Sequence, residues 1–170
     1  MLGLPSRDEA ADYYFTYIDR ITSDDVLSVI RTQLTDSMPL LRSISEEKSL
    51  HRYAPDKWTI RQVLNHINDC ERMFVFRAMW FARGFSTPLP SFDQNVAVAG
   101  ASADDYSWAK HLQEFVAVRQ ASISFFTNLP NQAWMRIGVA SDNGFTVRAL
   151  AYIVAGHVEH HLAILRERYL

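Results

Sequence analysis

The segment that most constrains this chain is Thr146 to Tyr169, where apolar residues recur at helical spacing and two histidines lie among them. His157 and His161 are four residues apart, so their imidazoles stand one turn apart on the same helix face. Leu150, Ile153, Val154, Ile164 and Leu165 share that stripe and direct both rings into a core. Basic side chains do not usually sit there without a partner. A third histidine, His66, lies on another helical segment in a similar apolar setting. Three histidines from two helices converging inside a bundle read as a metal site with an open coordination position.

The remaining periodicity supplies the bundle. Ser23 fits the N-cap of a first helix over about residues 24–46, with Asp24 and Asp25 in its first turn and a kink at Pro39. Thr59 and Gln62 fit a capping box opening a second helix over 60–83, closed by Gly84. His66, Met73, Arg77 and Trp80 share one stripe of it. A third helix spans 107–128, with Trp108, Leu112, Phe115, Ile123 and Phe126 inward and Pro130 beyond its end. A turn through Ser141, Asp142, Asn143 and Gly144 leads to Thr146, the cap of a fourth helix over 147–169. Alternation never persists long enough for a strand. The first 22 residues, with Tyr13, Tyr14, Phe15 and Tyr17, read as an arm or short helix packed on the bundle.

These signals predict an all-α, four-helix bundle with a short N-terminal arm, as a single domain over residues 1–170. The connection 84–106 is long enough to cross the bundle, giving an up-down-down-up order. A single cysteine precludes an intrachain disulfide and suits a reducing compartment. With no leader-like N-terminus and no apolar run near the roughly 18 residues of a membrane span, the expectation is a cytoplasmic protein without a membrane partner. A formal net charge of −2 with interspersed signs gives no basis for nucleic-acid binding.

Two readings of the histidines compete: core imidazoles satisfied by hydrogen bonds, or ligands about 2.0–2.1 Å from a shared ion. His160 lies about 60° from His157 on the helical wheel, against about 40° for His161, so it belongs at the bundle edge or beside the ligands. Val158 stands where a zincin would carry its glutamate, and Glu159 should face solvent. His51 in the linker before Trp58 and His111 on an outer helix face look incidental. Cys70, four residues after His66, is a candidate sulfur ligand, although free cysteine is more often simply buried. Asp69 could orient an imidazole through its other nitrogen. Arg77, with Trp80, could hold an anionic group, and Asp93, Gln94 and Asn95 could cover the mouth of the site.

Lys57-Trp58-Thr59-Ile60-Arg61-Gln62-Val63-Leu64-Asn65-His66 resembles the K-W-[ST]-I-x-x-[VL]-x-x-H opening of the DinB/YfiT-like superfamily. Glu71-Arg72, Phe81-Ala82-Arg83-Gly84 and Leu89-Pro90-Ser91-Phe92-Asp93-Gln94 follow in the order the resemblance requires. So does the closing Ala155-Gly156-His157-Val158-Glu159-His160-His161-Leu162. The likeness runs from about Tyr13 to Leu170. It implies an up-down-down-up bundle, a divalent metal held by His66, His157 and His161, and a homodimer.

Relatives in that superfamily include bacillithiol transferases and mycothiol-dependent maleylpyruvate isomerase, and others described as metal-dependent hydrolases. The resemblance therefore implies a zinc or nickel ion, or iron or manganese, and a low-molecular-weight thiol transferred to a small electrophile. A metal-dependent hydrolase and a non-catalytic metal-binding stress protein are the alternatives. A protein side chain in the fourth metal position would favour the last.

Overall fold

Four long helices arise where the local signals are strongest, and a small hairpin joins the last two. The computed structural model describes residues 2–170. In chain order the elements are α1 (Phe15–Ile18), α2 (Val26–Ser43), α3 (Ile60–Ala82), α4 (Gln94–Gly100) and α5 (Trp108–Thr127). The strands β1 (Ile137–Ala140) and β2 (Asn143–Thr146) follow, and α6 (Val147–Ile164) closes the order, its axis continued by a wider π-type turn over Leu165–Tyr169.

The caps explain most boundaries. Thr59 and Gln62 form the reciprocal capping box that opens α3. The Thr146 hydroxyl accepts the Ala149 amide at 2.9 Å and sets the start of α6. At α2 the cap is Asp25, whose carboxylate accepts from the Ser28 amide at 3.1 Å; Ser23 instead accepts from the Asp25 amide. The predicted cap therefore sits two residues early. α2 also runs through Pro39 and ends at Ser43, short of the expected 46.

The hairpin corrects the all-α expectation. Its strands are four residues each and interrupted by Gly138 and Gly144, too short for alternation to register. Ser141 and Asp142 both take positive φ (52° and 60°), the conformation of a tight turn whose twist matches paired strands. The Phe81 ring occupies the space a side chain at Gly138 would need. The connection after α3 is not bare loop either: Asp93 caps α4, accepting the Asn95 and Val96 amides. Leu89 bonds β1, donating to the Val139 carbonyl and accepting from Ser141.

The long helices are tied by specific bonds. The Trp108 indole donates to the Leu41 carbonyl at 2.9 Å and Arg31 reaches Thr127 at 2.8 Å, joining α5 to α2. Arg72 meets Glu114, and Arg119 meets Glu71, joining α3 to α5. Gln33 donates to the Ala155 carbonyl at 2.9 Å, joining α2 to α6. Apolar packing falls into two clusters. One gathers Ile30, Phe74, Phe126 and Leu150, and the other Leu41, Leu64, Phe115 and Leu162. Between them lies a buried polar layer of Gln33, Asn68, Glu71, Arg119, His66 and His157. Buried polar groups are costly, so this layer is where function is to be sought. Among the described residues, no helix is long and apolar enough to cross a membrane.

Candidate metal centre

His66 arises from the second turn of α3, and His157 and His161 from successive turns of α6. The His157 Nε2 lies 3.2 Å from His66 Nε2 and 3.1 Å from His161 Nε2. One ligand atom from each of the three falls within 4.8 Å of the others, and neither Cys70 nor Asp69 joins the group. A tetrahedral ion with nitrogens at 2.0–2.1 Å separates them by roughly 3.3 Å, close to the two short spacings here. His66 and His157 are buried and His161 is partly so.

The electrostatics keep the rings neutral. Burial first, then His160, lowers His66 to about 4. Burial and then His66 lower His161 to about 2. Burial, then His161 and His66, holds His157 well below its ordinary value. Neutral imidazoles offer lone pairs, as ligation demands. Three ring nitrogens at this spacing, set in a polar layer between two apolar clusters, match the ligand spacing of a shared cation.

The other predicted residues divide. Cys70 lies against His66, with Sγ 3.5 Å from Nδ1. Burial, followed by Asp69, pushes its thiol up to about 12, so it stays protonated. Asp69 does not reach an imidazole, because it accepts from Asn65 at 2.8 Å and pairs with Arg72. Arg77 is held on the Pro90 carbonyl and Ser141 Oγ, where it braces the hairpin. Trp80 stacks on Phe85. The expected anion pocket of Arg77 and Trp80 is therefore not formed. His160 sits half-buried against the Tyr17 ring at the edge of the group. Glu159 is partly exposed and pairs with Arg166. His51 is exposed, but His111 is buried, with Nε2 2.8 Å from the Ala103 carbonyl, correcting its surface placement.

A cleft of about 300 Å³ opens onto His66 and His157. Phe92, Asp93 and Gln94 line it. So do Tyr13, Tyr14 and Tyr17, which the sequence did not assign to the site. Tyr17 packs edge-on against His157, ring centroids 5.2 Å apart. Gly156 was the available signal: a Cβ there would overlap the Tyr17 backbone. A glycine beside a buried histidine marks a close chain approach.

Fold and site together define a mostly helical protein with a small two-stranded sheet and a buried three-histidine group at the base of a cleft. The chain belongs to the DinB superfamily, whose family model matches residues 30–165. It is similar in fold to YfiT from Bacillus subtilis, described as a probable metal-dependent hydrolase with an unusual four-helix bundle topology. That similarity has a TM-score of 0.70 at 17% identity and covers 96% of this chain and 89% of that one. Comparison with curated protein sequences finds no match.

Proposed function

We infer that His66, His157 and His161 hold one divalent ion, zinc or nickel, and that the protein is a metal-dependent enzyme hydrolysing a small molecule. The convergence of three Nε2 atoms beside a cleft, with no fourth protein ligand in the group, carries this reading. A closed structural site would complete the tetrahedron with protein side chains. When bound, the ion supplies Lewis acidity, which makes water or a thiol nucleophilic at neutral pH.

The chain's own residues position and enclose. Tyr17 covers one edge of the His157 ring, and Phe74 packs 5.9 Å from it. Gln94 places an amide on the cleft wall, where it can orient a bound carbonyl. Hydrolysis takes precedence over thiol transfer because the description of YfiT supports it.

The same reading includes the up-down-down-up order. Trp108 with Leu41 and Arg31 with Thr127 support antiparallel α2 and α5. Arg61 at the Tyr106 carbonyl and Arg72 at Glu114 support parallel α3 and α5.

The test is elemental analysis of untagged protein beside His157→Ala, then assay of the loaded protein on small esters, amides and lactones with and without cellular thiols. Stoichiometric metal lost in the variant, with thiol-independent turnover, is the expected result. Turnover only with thiol would reassign the reaction to transfer. Absence of metal after reconstitution would return the histidines to core packing.

A further inference from the structure

The cleft that reaches His66 and His157 has an unusual wall. No lysine or arginine lines it, and Asp93 is its one carboxylate. The nearby guanidiniums are engaged elsewhere: Arg77 on Pro90 and Ser141, Arg119 on Glu71 and Gln33. Asp93 caps α4 through Oδ1. The tyrosines that line the same cleft form a corner. Tyr13 stands at 81° to Tyr14 and 90° to Tyr17, with centroids 5.3 and 5.9 Å away. Their hydroxyls do not crowd the opening separately, because Tyr13 Oη and Tyr17 Oη bond each other at 3.0 Å. Tyr13 is 64% exposed, a high value for an aromatic ring beside a buried polar site.

We propose that the substrate carries an amine or quaternary ammonium cation, which lodges in this tyrosine corner of the cleft that Asp93 also lines, while its reactive group points to the histidines. Aromatic faces attract cations through the ring quadrupole, and the attraction strengthens as the cation is desolvated. The Asp93 carboxylate on the same cleft adds Coulomb attraction, and no fixed cation on the wall opposes it. An anionic substrate would find only the histidine end favourable and would be repelled by Asp93. This inference rests on the cleft being the substrate site of the function proposed above.

The probes are choline and its uncharged isostere in which carbon replaces the quaternary nitrogen, titrated calorimetrically into the protein as purified and after chelation. Choline should bind tighter by at least about fivefold, the range of a partly desolvated cation–aromatic contact. Asp93→Asn keeps the α4 cap, since asparagine caps as well as aspartate, yet removes the charge. Asp93→Asn and the exposed-site change Tyr13→Leu should each reduce the preference. Equal binding of the two probes, or a preference that survives both substitutions, overturns the proposal. Failure of the metal reading is separate: it would appear as absent metal with the chelated protein's probe preference intact.

Discussion

The Tyr17 carbonyl rests on the Cα of Gly156, in the space a methyl group would fill. This contact sets how closely α1 approaches α6, and so how the Tyr17 ring lies on His157. Gly156→Ala must push α1 outward or distort α6. A loss of about 1–3 kcal/mol, the range for overpacking, is expected in denaturant unfolding. Gly100→Ala, where an added methyl meets nothing within 4 Å, is the control and should be neutral. Equal stability of the two variants would remove the close approach as a constraint.

The histidines make the metal-free fold acid-sensitive. His66 and His161 titrate from an ordinary 6.5 down to about 4 and about 2 when folded. Below about pH 6.5 the unfolded chain therefore binds more protons than the folded one, so stability rises with pH. It should be complete above about 6.5 and fall progressively as the solution is acidified toward 4. A divalent ion at a hundred times its dissociation constant should add about 2.7 kcal/mol at neutral pH, and less as protons compete. Thermal unfolding with chelator or zinc across this window checks both statements. A flat profile between pH 7 and 5 would contradict the first.

Glu9 behaves in a lower window. Burial would raise its pKa, but hydrogen bonds from Arg148, Thr146 and Ser6 outweigh that and hold it at about 2, from an ordinary 4.5. Its contribution is present above about 4.5 and disappears as pH falls toward 2. Because Arg148 and Thr146 belong to α6 and its cap, Glu9 moors the N-terminal segment that carries the tyrosines. Glu9→Gln should cost about 2 kcal/mol near neutrality and little at about pH 2. Chemical denaturation at the two pH values reads the difference.

The Arg119–Glu71 pair is fully enclosed, with side-chain exposures of 0% and 2%. Arg119→Met leaves a buried carboxylate unpaired and should cost about 3–5 kcal/mol. The double change Arg119→Met with Glu71→Leu should recover most of that loss. If the double variant is no better than the single one, the pair holds geometry in the polar layer in a way its charges alone do not describe.

Caps at Thr59 and Thr146 made α3 and α6 legible, and apolar periodicity with Pro130 beyond its end made α5 so. The convergence of His66 with His157 and His161 was legible for a related reason: basic rings on apolar stripes have few places to go. The hairpin was not, since two glycines and four-residue strands leave no period to detect, and its turn depends on positive φ at Ser141 and Asp142. His111 was misplaced because Ala103, on a separate one-turn helix, buries it from outside its own helix. Asp69 and Arg77 share the stripe of His66, yet the partners that draw them away, Arg72 and the Pro90–Ser141 corner, are settled only by the folded chain.

His66 and His157 are 91 residues apart in sequence, and the third nitrogen lies later still. A nascent chain that has emerged only through α5 presents a single imidazole of the trio. An ion held by this trio would join only a polypeptide whose distant halves have already met.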